Sequence, residues 1–414
     1  MTISEEIVSN SVISINQLFP NFTNQFIKPF EKVLNPDIHN GMCLDFELCD
    51  RKQKNKVSPI LRLARLEDAE EIVSIYKELY NCTYPYKEME DLDEVRKMIQ
   101  DPSIQWIIFQ DPSFKMAGCI TFVLDFGNKR GYIRGFMLKK KYQGYIDITK
   151  AMIGSMLGMI YNFRDRIYNW YVENRTAHAK SQYSMWVCGI APIGFYPNKD
   201  IFFGKVESDL MQILYDERSL RQYRRKDIPN LIPEVENCFK FSDKRYKLGF
   251  YKIKVPKILL NYKKVSKFKK NLSINISTDK FGYQTITFSL KNLDSYFKFL
   301  YTPTVQNFEK TEYKIGNLEE LYVFVQEFIK FQKKLKARYC EIFISAYEPT
   351  HQKIFYDVGL IPRGYIPSWR FNYKSDLFED CILFNYYEGK MNKDIKIIQE
   401  AEELLKILNP TLTN

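Results

Sequence analysis

Gly131-Tyr-Ile-Arg-Gly-Phe-Met-Leu138, followed by Lys139-Lys-Lys-Tyr-Gln-Gly144, decides how this chain is read. An apolar strand enters a basic glycine turn, an apolar helix comes next, and Trp170-Tyr-Val-Glu173 forms a second strand. The stretch closes on Gly189-Ile-Ala-Pro-Ile-Gly-Phe-Tyr-Pro197, and its last part recurs. Gln182, Gly189, Pro192, Gly194 and Pro197 return in order as Gln352, Gly359, Pro362, Gly364 and Pro367, all at one offset (352 − 182 = 170). A repeat in strict register points to two copies of one fold.

The bulk composition agrees with a globular chain. With 414 residues, 45% of them hydrophobic and 15% aromatic, two or three domains with real cores are expected. A formal charge of +11 favours anionic partners such as phosphorylated cofactors or nucleic acid. Eight cysteines stand at 43, 49, 82, 119, 188, 238, 340 and 381 without a C-x-x-C pair, so no metal site is expected. A reducing cytoplasm is the plain reading. Acids at Glu5 and Glu6 stand where a targeting signal carries basic residues, and no apolar run is long enough to span a bilayer. A cytoplasmic protein with no membrane partner is therefore expected.

Around the opening stretch the chain divides into five parts. Residues 1–58 form an N-terminal extension of short apolar clusters broken by Pro20, Pro29 and Pro36. Residues 59–217 form a first domain. It begins with a strand at Ile60–Ala64 and a helical face at Ala69, Ile72, Ile75, Tyr76 and Leu79, followed by a second helix over Leu92–Gln100. Strands follow at Trp106–Phe109 and Met116–Leu124, joined by the Asp111-Pro112 turn. Residues 218–247 read as a basic linker with Pro229 and Pro233. Residues 248–389 form a second domain, in which Leu272/Ile274/Ile276 and Ile286/Phe288/Leu290 alternate as a hairpin about Asp279–Gly282. Before its long helix, which starts near Leu318, the run Lys314-Ile-Gly-Asn317 shows no strand as clear as 131–138. Residues 390–414 read as a C-terminal helix stopped by Asn409-Pro410.

A strand that passes through a basic glycine turn into a helix offers backbone N–H groups and a positive helix end to a phosphate. The order of elements resembles the GNAT superfamily of acyl-CoA-dependent N-acetyltransferases. That family carries (Gln/Arg)-x-x-Gly-x-(Gly/Ala) between its fourth strand and third helix, and the matching residues are Lys141-Tyr142-Gln143-Gly144-Tyr145-Ile146. Ile146 stands where a small residue is usual, and Asp147 follows close to where phosphate would lie. The resemblance implies an α/β (α+β) fold of two mixed-sheet domains with flanking helices. It also implies acetyl-CoA or another acyl-CoA as cosubstrate, held by Leu138, Lys139, Lys141, Gln143, Gly144, Tyr145 and Ile146, with backbone amides near Leu138 and Lys139 facing the thioester carbonyl.

Acyl transfer to an amine needs a base for the ammonium proton and an acid for the departing thiolate. The resemblance places both at the cleft between the fourth and fifth strands. Glu173 is the candidate base, and His178, one of three histidines in the chain, is the second candidate because imidazole titrates in the useful range. The family's helix tyrosine is replaced by Met185, which leaves Tyr183 as the substitute. Cys188 and the methionines 152, 156 and 159 read as core, and the repeated Gln182 and Gln352 as structural.

The second copy lacks a basic glycine turn, so one active domain and one degenerate copy that walls the acceptor cleft are expected. The implied activity is N-acyl transfer from a CoA thioester to a small-molecule or peptide amine. The alternatives are a non-catalytic CoA sensor and an RNA-associated protein. For the latter, nucleic acid would follow the lysine run 252–270 with Tyr251, Tyr262 and Phe268 stacking. Nothing in the sequence sets the oligomeric state.

Overall fold

The computed structural model describes residues 56, 57 and 59–408, together with Val12–Ser14 and Asp37–His39, which pair as a short antiparallel ladder. The rest of the N-terminal extension lies outside the described residues. The chain divides into two compact units: residues 1–174, 178–192 and 211–222 make the first, and 175–177, 193–210 and 223–414 the second.

The first unit is a sheet between two helical layers. Its strands are β1 (Ile60–Leu63), β2 (Ile104–Gln110), β3 (Met116–Asp125), β4 (Arg130–Leu138) and β5 (Asn169–Arg175), hydrogen-bonded in that order, with the end of β7 (Lys205–Tyr215) next to β5. Helices α1 (Ala69–Tyr80) and α2 (Leu92–Gln100) follow β1, as the 3- and 4-residue spacing of their apolar positions requires. Asp91 caps α2 by accepting the Glu94 amide at 3.0 Å. On one face Trp106, Ile108, Cys119 and Met137 pack against Ile72, Ile75 and Tyr76 of α1. On the other, Ile107, Phe109, Ile120, Phe122 and Ile133 pack against Met152, Met156 and Met159 of α3 (Ile148–Phe163). This two-sided alternation is what buried strands impose. Helix α4 (Lys180–Val187) sends Met185 into the same cluster as α3, and the neighbouring Cys188 is buried there with its thiol pKa raised by burial.

The second unit contains β6 (Ala191–Phe202) for most of its length, α6 (Glu236–Tyr246) and α7 (Tyr262–Asn271), with the short α5 (Glu217–Arg221) preceding them in the first unit. A two-residue parallel ladder joins β8 (Asn230–Leu231) to β9 (Lys252–Ile253). Strands β10 (Leu272–Thr278), β11 (Gln284–Leu290), β12 (Tyr296–Thr302), β13 (Asn307–Lys314), β14 (Tyr339–Ser345), β15 (Ile361–Asn372) and β16 (Leu377–Tyr387) form a sheet in the order β10-β11-β12-β13-β14-β16-β15-β6. The expected hairpin is present in register, with Ile274 opposite Phe288 and Ile276 opposite Ile286. Helix α8 (Leu318–Leu335) crosses from β13 to β14, and α9 (Pro349–Asp357) follows β14. Two expectations are corrected. The strand before α8 exists as β13, and its exposed half, Lys310 to Lys314, hides it by alternating charged residues with Thr311 and Tyr313. After Lys390, among the described residues, only Gln399–Leu408, α10, is helical.

Residues 218–247 are folded, with Leu231, Ile232, Val235, Cys238 and Phe239 buried. Arg224 reaches Asp380 at 2.6 Å, and this buried pair raises the guanidinium pKa although burial alone lowers it.

The repeated residues have repeated geometry. Gly189 and Gly359 both take left-handed backbone angles (φ 78° and 94°) just past α4 and α9. The amides of Ile190 and Leu360 then turn back to Met185 and Phe355 at 3.0 and 3.1 Å. Gly194 and Gly364 pair with each other across β6 and β15, where a Cβ on Gly364 would lie 2.7 Å from the Ile193 carbonyl. Gln352, as expected, serves structure: it accepts from the Ile232 amide and donates to the Ser345 and Asn230 carbonyls, each at 3.0 Å.

Candidate acyl-transfer site

Strands β4 and β5 run parallel and hydrogen-bond only over Arg130–Ile133 and Asn169–Val172. Beyond Ile133 they separate, because β4 carries an irregularity opposite Cys119–Thr121 that adds a residue at Gly135. The extra residue re-aims the strand. Ile133 and Phe136 both pack on the α3 face, and Met137 returns to the α1 face. A gap therefore opens between two parallel strands above the turn that leads into α3.

Glu173 stands at that gap. Its neighbour Val172 is in the α3-side cluster, so strand alternation sends Glu173 to the α1 side. There the Tyr132 hydroxyl lies 3.5 Å from Glu173 Oε2, and the rings of Tyr132 and Tyr171 stack at 4.9 Å. Sequence reasoning missed Tyr132, which the parallel register sets opposite Tyr171. His178 is exposed in the turn before α4, and its carbonyl accepts from Gln182 Nε2 at 3.4 Å. Tyr183 is exposed on α4, a helix that packs on the α3 side. Glu173 and Tyr183 thus belong to opposite faces of the sheet.

The glycine turn is more self-contained than its composition implies. The Lys139 amide donates to the Ala117 carbonyl at 2.9 Å, and its buried ammonium is ion-paired with Glu71 of α1. The amides of Tyr142, Gln143, Tyr145 and Ile146 donate within the turn to the carbonyls of Lys139, Lys140 and Tyr142, at 2.9 to 3.2 Å. Val57 straps the turn, donating to Tyr145 O and accepting from the Asp147 amide, each at 2.9 Å. The unusual Ile146 is explained by packing. It is fully buried with Ala117 and Tyr142, with Leu138 and Val57 against them. The Tyr142 hydroxyl donates to Asp111 at 2.9 Å; burial and that carboxylate push its pKa up to about 12. Burial alone would raise the Asp111 pKa, but its bonds from the Lys115 amide, Tyr142 and the Ser113 amide outweigh that and hold it low.

What remains open is Gly144. It takes φ +85°, a conformation that favours glycine, and a Cβ there would meet nothing within 4 Å. Its amide forms no bond to another described residue. Lys141, Gln143 and Tyr145 are exposed beside it, and the first turn of α3 carries no acid. Gln143 Nε2 reaches back to the Leu138 carbonyl at 3.4 Å. These features suit an anion held at the Gly144 amide beside the head of α3, where the buried Asp147 directly precedes the helix.

No protein-family model and no curated protein matches the chain. Among solved structures, a mutant of the spermidine N-acetyltransferase SpeG from Vibrio cholerae is similar, with 14% identity and a TM-score of 0.34, over 40% of this chain and 97% of that one. The same enzyme in complex with manganese ions is similar at 15% identity and a TM-score of 0.33, over 40% of this chain and 96% of that one. A chimera of the Vibrio cholerae enzyme and hSSAT is similar at 16% identity and a TM-score of 0.34, over 39% and 98% of the respective chains. Among the described residues no helix is long and apolar enough to cross a membrane.

Proposed function

We propose that the first unit transfers an acyl group, acetyl in the simplest case, from a coenzyme A thioester to an amine acceptor. The observation that carries this reading is the parallel pair β4/β5, which parts after Ile133 and Val172 with Glu173 at the opening and the Gly144 turn beyond it. The thioester, when bound, supplies the activated acyl group. Its phosphates fit the Gly144 amide and the first turn of α3, with Lys141 and Gln143 at the rim. Glu173 takes the proton from the acceptor's ammonium group, so that the nitrogen is neutral when it attacks. Tyr132, beside Glu173, orients the carboxylate. Tyr183 and His178 are the groups available to return a proton to the thiolate.

In this reading the two domains are residues 59–217 and 248–389, and the second binds no coenzyme. A CoA sensor without turnover is the second reading, favoured by the replacement of the helix tyrosine by Met185, which is buried in the core. Thioester consumption by the full chain, followed through released thiol with a panel of amines, separates the two. Turnover that falls in Glu173→Gln while coenzyme affinity is unchanged supports transfer. Binding without turnover for every amine supports the sensor, and no coenzyme binding overturns both.

A further inference from the structure

The lysine run in the second unit is exposed together with large apolar side chains. Between Lys252 and Lys270 there are eight lysines and no acid, and none of the eight is ion-paired among the described residues. Their backbone is held in place: the amides of Lys252 and Lys254 donate to Pro229 O and Leu231 O at 2.9 and 2.8 Å. Tyr251 is anchored inward, its hydroxyl on Glu236 at 2.7 Å and its ring 4.5 Å from that of Phe239. Outward stand Phe250, Val255, Leu259 and Tyr262, at 86, 76, 81 and 71% exposure. Helix α7 continues the pattern. Asn261 caps it, accepting from the Lys263 and Lys264 amides, and Val265 is its one buried side chain, while Lys263, Lys264, Lys267, Lys269 and Lys270 are exposed.

We propose that this surface docks on an anionic phospholipid membrane, with Phe250, Val255 and Leu259 entering the acyl boundary and the lysines meeting the headgroups. Unpaired lysines select an anionic partner, which argues against a second copy of this chain, since that would set one lysine field against another. Between anionic partners the apolar side chains decide. Nucleic acid rewards aromatic rings on which bases stack, which Phe250 and Tyr262 offer, but Tyr251 is turned inward, Phe268 is half-buried, and two of the most exposed side chains, Val255 and Leu259, are aliphatic. Valine and leucine offer a base nothing, whereas a lipid interface rewards them directly. Each lysine near such a surface adds about 1 kcal/mol of attraction within a Debye length. This departs from the sequence expectation of no membrane partner and stands independently of the proposed transferase activity.

The test is sedimentation of the full chain with phosphatidylcholine vesicles, with and without phosphatidylserine. Binding is expected only to the phosphatidylserine vesicles, and it falls as salt rises. Val255→Ser with Leu259→Ser keeps every charge and lowers vesicle affinity roughly tenfold or more. Replacement of Lys263, Lys264, Lys267 and Lys269 by Gln weakens binding and flattens the salt dependence. All six positions are exposed, so unchanged thermal midpoints are expected to show that the variants fold. Three results overturn the proposal: no binding to phosphatidylserine vesicles at low salt, equal binding by the serine variant, or retention of a single-stranded oligonucleotide without vesicle binding.

Discussion

The two strand-to-helix crossovers, β4 to α3 and β13 to α8, differ in what stands at the head of the helix. In the first, Gly144 is open and no acid lies within the first helical turn, although the buried Asp147 directly precedes it. In the second, the chain supplies its own anion. The Glu320 carboxylate accepts from the Gly316 amide at 2.6 Å and from Asn317 Nδ2 at 2.7 Å, and the Asn317 side chain accepts from the Glu320 amide at 3.2 Å. This N-cap sets a side-chain carboxylate at the head of the helix, where a helix end otherwise accepts phosphate. The gaps beyond the parallel strands differ too. β13 pairs with β14 only at Asn307 and Phe308, and past that point Tyr313 meets His351 Nδ1 at 3.1 Å and packs on Phe355. The two crossovers thus differ in how far their own side chains fill the place beyond the parallel strands.

Five substitutions break or sharpen this contrast. Glu173→Gln is expected to have the largest effect, slowing thioester consumption by about 10²- to 10⁴-fold with coenzyme affinity unchanged, as read by steady-state kinetics and calorimetry. His351 is next. Burial lowers its pKa from 6.5 to about 4, so the unfolded chain binds more protons between those values. The stability that neutral His351 contributes is complete above pH 6.5 and is lost as pH falls towards 4, by on the order of 3 kcal/mol. Urea unfolding at pH 7 and 4.5 is expected to show a smaller drop for His351→Phe than for wild type. An equal drop would mean that His351 is not held neutral by burial.

Gly144→Asp strains a left-handed position and adds an anion to the open turn, so acetyl-CoA affinity falls about tenfold to a hundredfold. Gly316→Ala, in the second crossover, leaves that affinity unchanged. Glu320→Ala removes the cap of α8 and costs about 1 kcal/mol in thermal unfolding without creating a second coenzyme site.

Much of the fold was legible because period and turn chemistry are local. Helices α1 and α2 follow from apolar spacing and Asp91, and the β10/β11 hairpin from alternation about Asp279, whose side chain accepts from the Phe281 amide at 2.9 Å. The repeated glycines were visible as a pattern, and their reason, two left-handed helix ends and one close strand approach, is spatial. The site was less legible. That Glu71 would claim Lys139, that Val57 would consume the Asp147 amide, and that Ile146 would be core depend on contacts 68, 90 and 29 residues apart in sequence (139 − 71, 147 − 57, 146 − 117). No local signal marks such pairings. Tyr132 escaped notice for the same reason, since its partner Glu173 is 41 residues away.

Titration of the full chain with acetyl-CoA in a calorimeter tests the contrast between the crossovers most directly. One coenzyme bound per chain, with binding weakened by Gly144→Asp and unaffected by Gly316→Ala, is the predicted result. Two sites per chain, no binding, or indifference to Gly144→Asp would contradict it.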